Sequence, residues 1–404
     1  MGVENNIPED WIETTLEENI SVIAMGPFGS NLKRDMFTKE GVPIIKGGNL
    51  SGMYVGGDFT FVSEEKATSL RKAVAYPNDI IITHRGTIGQ VSLVPQNKYK
   101  RYVTSQSQLR FSPDPQKLDY KYILYFLRSR IGQYELLKSS SQVGVPAIAT
   151  PTKSIKEINL FLPSLQEQKS IAKVLTVFDD KIELLQAQNK TLETMAQTIF
   201  KEWFGKYQIG DELPAGWKVG KLGDVFDIYD SQRVPLSKPQ REAMNGDYRY
   251  YGATKVMDYV NDYLFDGIYL LFAEDGSVMD EDGHPFLQYV WGKFWVNNHT
   301  HILKGKNGFS TELLYVLCKK MKVAGIVNGA VQLKINQGNL LSKEIVLPTD
   351  FILDKVNKII QPLFNKLRTN SSQVQSLTKT RDTLLPKLMS GQVRVNNIKQ
   401  TVNA

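Results

Sequence analysis

Histidines and acidic residues are the side chains of this 404-residue chain that could support catalysis or hold a metal. There are four histidines, too few for a histidine-rich metal site: His84, His284, His299 and His301. His299 and His301 alternate along a predicted strand and share one face, where a metal pair competes with the commoner case of two polar surface histidines. The acidic residues at 274–275 and 280–282 lack EF-hand spacing and are interpreted as a solvated turn. The sequence therefore predicts no catalytic constellation and no metal site.

Motifs that bind nucleotides or methyl donors are absent from the sequence. The four Gly-Lys pairs are followed by Tyr207, Leu222, Phe294 and Asn307, so none of them forms the Gly-Lys-Ser/Thr of a P-loop. No two prolines are adjacent, which excludes the Asp/Asn-Pro-Pro-aromatic motif with which amino-methyltransferases hold the target base. No strand–GxGxxG–helix unit opens a dinucleotide-binding domain. We predict that the chain is not an enzyme and that it binds no cofactor itself.

The composition is that of a globular protein. Hydrophobic residues make up 42% of the chain and charged residues 23%, which excludes wholesale disorder, and the length predicts two or three domains. No apolar run reaches the ~18 residues that a membrane span needs, so we expect no membrane association. The start MGVENN lacks the features of a signal peptide, and Asn6 departs from the myristoylation pattern. Because Cys318 is the only cysteine, no internal disulfide can form, and we expect a cytoplasmic protein.

The charge of the chain permits a polyanionic partner without requiring one. Basic residues number 49 and acidic residues 42, for a formal net charge of +7. The sequence contains no polylysine block and no basic tail. If the partner is a nucleic acid, a shaped protein surface has to bind it.

The chain repeats itself about halfway along. Pro8-Glu9-Asp10-Trp11 returns as Pro214-Ala215-Gly216-Trp217, and the apolar run at 122–127 returns at 312–317. Lys156-Glu157-Ile158, which precedes Pro163, returns as Lys343-Glu344-Ile345 before Pro348. Because these matches occur in the same order, they indicate a duplicated architecture.

A long helix is predicted after each of these prolines. Apolar residues alternate in steps of four and three through residues 171–203 and again through residues 356–388, which is the heptad pattern of a coiled coil. The alternative is two amphipathic helices on separate cores, but the matching length and phase favour pairing with each other. Polar residues on the two seams are expected to fix the register: Asn189, Asn370 and Arg381. Pro362 and Pro386 predict a kink or a frayed end in the second helix.

Two globules of mixed composition flank the first helix. Strands are predicted at 79–83 and 289–296, and short helices at 120–130 and 311–322. The predicted fold class is α/β (α+β), with two similar globular domains separated by two long antiparallel coiled-coil helices in a pseudo-twofold arrangement. The predicted boundaries are 1–164 for the first domain, 165–206 for the first helix, 207–349 for the second domain, 350–395 for the second helix and 396–404 for a tail.

This plan and several segments resemble the specificity (S) subunit of type I restriction–modification enzymes over essentially the whole chain. The similar segments of the first half are GVPIIKGGNL (41–50), DIIITHRGTIG (79–89) and LPSLQEQKSIAKVL (162–175). Those of the second half are YGATKVMDYVNDYLFDG (251–267) and LLPKLMSGQVRV (384–395). The second junction departs from the pattern, because Thr-Asp-Phe follows Pro348 where an EQ pair is expected.

The resemblance implies a non-catalytic DNA-recognition subunit of a phage-defence complex. Each globule would be a target recognition domain that reads one half of a bipartite, asymmetric site in double-stranded DNA. The helices would be spacers that dock two methyltransferase (M) subunits, and restriction/translocase (R) subunits would join that core. S-adenosylmethionine, ATP and Mg would be bound by these partner subunits.

Residues that could contact DNA are cations, amides and histidines in polar loops and turns. Sequence readout requires Arg or Lys for guanine and Asn or Gln for adenine, whereas any cation can contact phosphate. Lys33 and Arg34 end a glycine-rich loop. The runs 104–108 and 297–301 are interpreted as strand-like and polar on both faces, either facing a DNA groove or burying hydrogen-bonded amides. The full set of candidates is Lys33, Arg34, Lys46, Arg85, Gln106, Gln108, Gln142, Arg233, Lys255, Asn298, His299, His301 and Gln332.

Other classes of function stay open at this point. One is a protein-interaction scaffold built on coiled-coil helices, and another is a nuclease or methyltransferase too divergent for its motifs to be recognised. A DNA-recognition subunit of a different methyltransferase-based defence system is the nearest alternative. Turnover by the purified chain would identify an enzyme, and steep salt dependence of binding would distinguish DNA from a protein partner.

Overall fold

The structure is a computed structural model that describes residues 7–96, 98–141, 143–329 and 332–395. Gln142 and the predicted tail at 396–404 lie outside the described residues. The chain divides into two compact units, the first made of residues 1–182 and 376–404 and the second of residues 183–375. Both units are mixed α/β structures, and each contains one globule and a segment of each of the two long helices.

The first unit is built around two sheets. Its strands are β1 Ile12–Thr15, β2 Ile20–Met25, β3 Phe37–Thr38, β4 Val42–Ile45, β5 Thr60–Val62, β6 Val74–Ala75, β7 Ile80–Thr83, β8 Val91–Leu93, β9 Tyr102–Thr104, β10 Gln108–Pro113, β11 Ser140–Ser141, β12 Ala147–Ile148 and β13 Asn159–Leu162. One sheet has the order β2-β10-β7-β8 and the other β3-β5-β4-β9-β6, while β1 pairs with β13 and β11 with β12. The β-branched β7 is buried along its whole length, which makes it a central strand.

Helices cover the two sheets and complete the first unit. They are α1 Glu64–Ser69, α2 Tyr120–Arg128, α3 Arg130–Leu137, α4 Pro151–Lys156 and the first part of α5 Leu165–Trp203. The predicted helix at 120–130 is therefore two helices, because Ser129 ends α2 and its side chain caps the start of α3. Ile171 and Leu175 of α5 pack in the same core as the apolar face of α2, together with Leu388 and Met389 from the end of the chain.

The second unit has one large sheet. Its strands are β14 Lys218–Lys221, β15 Phe226–Ile228, β16 Asn245–Tyr251, β17 Val256–Val260, β18 Phe265–Ala273, β19 Leu287–Val296, β20 Thr300–Gly305 and β21 Glu344–Leu347. Six of them form a sheet in the order β15-β20-β18-β19-β16-β17, and β14 pairs with β21. The helices are α6 Lys238–Ala243, α7 Thr311–Lys320, α8 Gln337–Ser342, part of α5 and the first part of α9 Asp350–Met389.

The repeat seen in the sequence is present in the backbone hydrogen bonds. Leu16 donates to the carbonyl of Ile158 in the first unit, and Leu222 donates to Lys343 in the second. The pairs β1–β13 and β14–β21 are both antiparallel and both end just before the prolines that precede the long helices. The two globules therefore share a common frame.

The two long helices are continuous, as the heptad pattern predicts. Residues 350–389 stay helical through Pro362 and Pro386, so the frayed end expected for α9 is not found, while the kink stays a prediction. Pro362 removes one backbone donor, but its neighbours Ile360 and Phe364 are buried in the second core and hold the turn in place. Pro386 lies in the last turn, so the backbone hydrogen bond that it cannot donate is one close to the end of the helix. No helix in the described ranges is long and apolar enough to cross a membrane.

Candidate nucleic-acid interface

In the first globule, three backbone hydrogen bonds fix residues 84–86, which directly follow the central strand β7 and which we call the edge of this globule. After β7, the amide of His84 donates to Ser107 at 2.9 Å, and the carbonyl of His84 accepts from Ile148 at 2.9 Å. The amide of Gly86 donates to Pro146 at 2.8 Å. Arg85 lies between these fixed points, so a rigid scaffold holds its backbone while its side chain is exposed.

The second globule builds the same edge with different side chains. After β18, the amide of Glu274 donates to His299 at 3.0 Å, its carbonyl accepts from Ile335 at 2.8 Å, and Gly276 donates to Leu333 at 2.9 Å. Asp275 therefore occupies the backbone position that Arg85 has in the first globule. Gly86 and Gly276 both have positive φ, at 89° and 77°, which explains why each edge turns at a glycine.

The polar runs predicted as strands are turns at this edge. β9 ends at Thr104 and β10 begins at Gln108, while β19 ends at Val296 and β20 begins at Thr300. The prediction of strands at 104–108 and 297–301 is therefore wrong, because the residues of these runs that belong to strands are only Thr104, Gln108, Thr300 and His301. The middle residues project from the turns, and Gln106 and Asn298 are exposed at equivalent places.

A groove of about 700 Å³ lies beside the edge of the first globule. Its polar lining includes Arg71, Lys72, Arg85 and Gln106, and Phe28 adds an aromatic ring that is mostly exposed. In the described part of the chain, the Arg85 guanidinium forms no hydrogen bond or ion pair. The groove thus combines unpaired cations and an amide with an apolar side chain, which are the groups that contact DNA backbones and bases. The sequence reasoning missed Arg71, Lys72 and Phe28.

The buried side chain of His84 stabilises this edge from inside the globule. Its ring is buried, and Nε2 lies 3.1 Å from the carbonyl oxygen of Gln106, to which it donates. Burial lowers the pKa of His84, an effect that the hydrogen bond to Gln106 opposes and the nearby charge of Arg85 reinforces. The neutral ring therefore ties the turn of Gln106 to the end of β7.

Four other candidates of the first globule do not line the groove beside Arg85. Lys33 and Arg34 are exposed on the loop before β3. Lys46 donates to Thr60 Oγ1 at 2.7 Å and lies over the ring of Phe37. Gln108 is only 1% exposed, donates to Thr83 Oγ1 at 3.3 Å and accepts from Ser105. The structure corrects the expectation for Gln108, because its amide closes the turn between β9 and β10 and is hidden from any ligand.

The edge of the second globule presents a carboxylate and an imidazole. Asp275 Oδ1 lies 2.6 Å from Nδ1 of His299, and the His299 side chain is 46% exposed against 18% for Asp275. Asn298 is exposed next to this pair, and Gln332 is exposed on a neighbouring loop. Lys255 is exposed on the turn between β16 and β17. Sequence reasoning missed Asp275, because an acidic residue followed by glycine was taken for a solvated turn.

Two other candidates of the second globule belong to a buried ion-pair network. His301 is 1% exposed, with Nδ1 at 2.6 Å from Asp230 Oδ2 and Nε2 at 2.8 Å from the carbonyl of Ile335. Arg233 donates to Glu274 at 2.6 Å. The structure therefore corrects the expectation of DNA contact for both His301 and Arg233, because their polar atoms are engaged inside the unit.

Three members of this network have side chains of the types that bind metal ions. Asp230, Glu274 and His301 offer ligand atoms within 4.8 Å of one another. However, Arg233 pairs with both carboxylates, and Lys334 approaches Glu274 at 3.2 Å. Burial acts to raise the pKa of Glu274, but Arg233, His301 and Lys334 outweigh it and lower that pKa. The cluster is thus an acidic pocket already neutralised by protein cations.

The predicted register residues contact the opposite long helix within their own units. In the second unit, Asn189 Nδ2 donates to Ser371 Oγ at 3.0 Å, and Asn370 Nδ2 donates to Gln188 Oε1 at 3.3 Å. In the first unit, Arg381 pairs with Asp179, whose other oxygen accepts from Tyr125 at 2.6 Å. All three residues therefore make polar contacts on the seam between α5 and α9.

Comparisons with known proteins agree with the repeated frame. The family model described as type I restriction modification DNA specificity domain matches this chain twice, at residues 8–194 and 214–379. The specificity subunit of the type I restriction enzyme MjaIX from Methanocaldococcus jannaschii is 26% identical over 433 residues, which cover 97% of this chain and 95% of that protein. A putative type I specificity subunit from Haemophilus influenzae is 32% identical over 147 residues, or 36% of this chain and 37% of its own.

A solved structure has the same fold. The crystal structure of a type I restriction–modification system S subunit from M. genitalium superposes with a TM-score of 0.62 at 19% identity, over 96% of this chain and 98% of that one. Because the family model covers most of the chain in two successive copies, the chain belongs to the type I restriction modification DNA specificity domain family.

Proposed function

We propose that this chain is the DNA sequence-recognition subunit of a type I restriction–modification complex and that each globule reads one half of a bipartite DNA site. The observation that carries this proposal is the double match to a DNA specificity domain, combined with two backbone edges of the same design. Each edge places one side chain from a strand end beside an exposed amide in a turn. Cations, carboxylates and amides on a rigid frame are suited to reading base edges.

The site is proposed to be asymmetric. The first edge carries Arg85 and Gln106, whereas the second carries Asp275, Asn298 and His299. These sets differ in charge and in their hydrogen-bond donors and acceptors, so they favour different bases. Two copies of one domain with unlike edges are what an asymmetric site requires.

The long helices are proposed to act as spacers and as the docking surface for two methyltransferase subunits. In this proposal, α5 and α9 pack as an antiparallel coiled coil that relates the globules by a pseudo-twofold axis. Large apolar side chains on these helices remain exposed in the chain alone: Val177, Leu184, Met195, Phe351 and Ile359. Exposed apolar groups on an otherwise polar helix indicate a surface that another protein covers. Restriction subunits would then join this core.

The chemistry is assigned to the partners. The chain carries none of the nucleotide or methyl-donor motifs considered above, so methylation and cleavage are proposed to belong to the methyltransferase and restriction subunits. S-adenosylmethionine, ATP and Mg would be bound there. Turnover by the purified chain alone on DNA, with magnesium and S-adenosylmethionine present, would contradict this assignment.

An exchange of globules tests the proposal. Residues 1–164 are replaced by the first globule of another family member, and the chain is assembled with its methyltransferase subunits. Modified adenines are then mapped by single-molecule sequencing. We expect one half of the methylated site to change and the other half to stay as it was, because the second frame is untouched.

The reciprocal exchange of residues 207–349 is the matched control and should change only the other half. If both halves change in either exchange, the globules do not read separately and the proposal is wrong. A salt titration of DNA binding adds an independent check against the scaffold alternative. Affinity that depends on phosphate contacts falls steeply as salt rises, whereas affinity for a protein partner need not.

A further inference from the structure

Positions 85 and 275 are equivalent by three separate backbone contacts. Each lies two residues after the end of its central strand, β7 or β18, and precedes a glycine with positive φ. The residue before each has both its amide and its carbonyl hydrogen-bonded. Two of the three hydrogen bonds make each position part of an isolated β-bridge, Arg85 with Ala147 and Asp275 with Lys334. The local sequences THRG (83–86) and AEDG (273–276) share only the glycine. The two positions are therefore aligned by their hydrogen bonds and not by sequence similarity.

The side chains at this shared position have opposite hydrogen-bonding character. The Arg85 guanidinium has five donors and no acceptor, and no described residue pairs with it. Its immediate neighbour His84 is buried, and that burial lowers its pKa. In the major groove, guanine presents two acceptors, O6 and N7, in the spacing that a guanidinium matches.

Asp275 offers only acceptors. Its Oδ1 contacts Nδ1 of His299 at 2.6 Å, and the part of the chain that the structure describes supplies no further hydrogen bond to the carboxylate. This contact fixes the direction of the carboxylate and leaves Oδ2 for a ligand. The donors on base edges of the major groove are the amino groups at N4 of cytosine and N6 of adenine.

Resting on the proposed function, we propose that residues 85 and 275 are the corresponding base-reading residues of the two globules. Arg85 donates to a guanine in one half-site, and Asp275 accepts from the amino group of a cytosine or adenine in the other. One backbone position thereby serves both halves, and exchange of a donor for an acceptor there changes the base that is preferred.

The test uses the full chain assembled with its methyltransferase subunits and a library of randomised DNA duplexes. Bound duplexes are sequenced, and the globule exchange of residues 1–164 identifies which half-site belongs to the first globule. For Arg85→Ala we expect a guanine preference at one position of that half-site to fall by about tenfold or more, with the other half-site unchanged. For Asp275→Asn we expect one position of the second half-site to relax, because an amide both donates and accepts.

Matched controls remove the same charge from nearby places. Arg71 lines the same groove as Arg85, so Arg71→Ala should weaken binding evenly across all sequences and leave the motif intact. Glu281 lies exposed in the same acidic loop as Asp275, and Glu281→Gln should leave the motif intact. Thermal unfolding of each variant verifies that the globules remain folded, as expected for substitutions at surface positions.

The outcomes separate the two proposals. A wild-type complex that enriches no bipartite motif overturns the proposed function. A wild-type complex that enriches a motif, with variants at 85 and 275 that keep every base preference, overturns the inference alone. Loss of preference in both half-sites with Arg85→Ala would also overturn it, since the residue would then act on the whole complex.

Discussion

At the scale of single residues, His84 joins the buried frame of the first globule to its exposed edge. The ring lies behind Arg85 and donates from Nε2 to the carbonyl of Gln106, which holds the turn in place. Burial lowers the pKa of His84 below the ordinary value of 6.5. Protonation would place a charge in a buried site whose neighbour is already a cation.

Acid should therefore destabilise the first globule through His84. Because the folded-state pKa lies below the unfolded one, this stability is complete above about pH 6.5 and is lost as pH falls through the folded-state pKa. The loss is about 1.4 kcal/mol for every tenfold difference in proton affinity between the two states. Urea unfolding of the wild type and of His84→Gln, measured between pH 5 and 7.5, provides the comparison.

The variant His84→Gln keeps a donor toward Gln106 and cannot titrate, so its free energy of unfolding should change less over this range. The other histidines are present in both proteins, and their contributions cancel. Equal pH dependence of the two proteins would show that His84 is not the titrating group.

Residue types alone could not separate exposed candidates from buried ones. Gln106 and Gln108 lie two residues apart and have the same chemistry, but Gln106 is at the tip of a turn while Gln108 is the first residue of β10 and faces inward. His299 and His301 divide in the same way at the start of β20. The deciding fact is where each strand begins, and in a run that is polar throughout no hydrophobic alternation marks that point.

At the scale of elements, an amide near the start of each long helix ties that helix to the globule before it. In the first unit, the buried Gln168 of α5 accepts from the amide of Asp119 at 2.9 Å and donates to the carbonyl of Lys117 at 3.0 Å. In the second unit, Asn357 of α9 accepts from Ser310 at 3.4 Å and donates to Gly308 at 2.6 Å. Asp119 and Ser310 are the residues that cap α2 and α7.

This arrangement is compatible with the departure of the second junction from the family pattern. Aligning Pro163 with Pro348 gives a shift of 185 residues between the two halves, and Gln168 then corresponds to Leu353, which is buried in the second core. In the second unit the amide lies one helical turn later, at Asn357, and the apolar Leu353 stands at the position of Gln168. The absence of an EQ pair after Pro348 therefore does not remove the tie between helix and globule.

Replacing the first of these amides should destabilise the first unit. Gln168→Leu leaves the amide of Asp119 and two carbonyls without a partner in a site where Gln168 is 1% exposed. An unsatisfied buried group costs about 1–3 kcal/mol, so we expect a loss of this order in the free energy of unfolding. Chemical denaturation followed by tryptophan fluorescence measures it.

The corresponding variant Asn357→Leu should cost less, because Asn357 is only partly buried and water can reach the groups it leaves. Equal losses at the two positions, or no loss at Gln168, would contradict the role assigned to the amide.

The elements with a strong period were predictable from the sequence, and the short ones were not. The heptad seams predicted the long helices, which run from Leu165 to Trp203 and from Asp350 to Met389. Packing on one face repeats over about eleven turns in each of them. The two sheets of the first globule contain several strands of two or three residues, such as β3 and β6, which are too short to show alternation. Their pairing is decided by distant partners that a single sequence does not reveal.

At the scale of the whole molecule, the first unit is assembled from both ends of the chain. Leu388, Met389 and Val395 are buried in the first core, more than 200 residues after the last strand of that globule. Arg394 pairs with Asp10 at 2.8 Å and with Glu167 at 2.6 Å. The two hydrogen bonds to each carboxylate raise the pKa of Arg394. Residues 388–395 thus belong to the first unit.

Ending the chain after residue 375 should therefore unfold the first unit and spare the second. Full burial of an aliphatic side chain is worth about 1.5–3 kcal/mol, so loss of three such residues approaches the ~5–15 kcal/mol that keeps a domain folded. The second unit, residues 183–375, stays complete in this variant. Hydrogen exchange should show lost protection of β7 and β10, with β18 and β20 still protected.

The variant Leu388→Ala is a graded control, for which we expect the free energy of unfolding of the first unit to fall by about 2–5 kcal/mol. Adding a peptide of residues 376–404 should restore protection in β7. Protection that falls equally in β7 and β18, or in neither, would mean that the last residues do not belong to the first core.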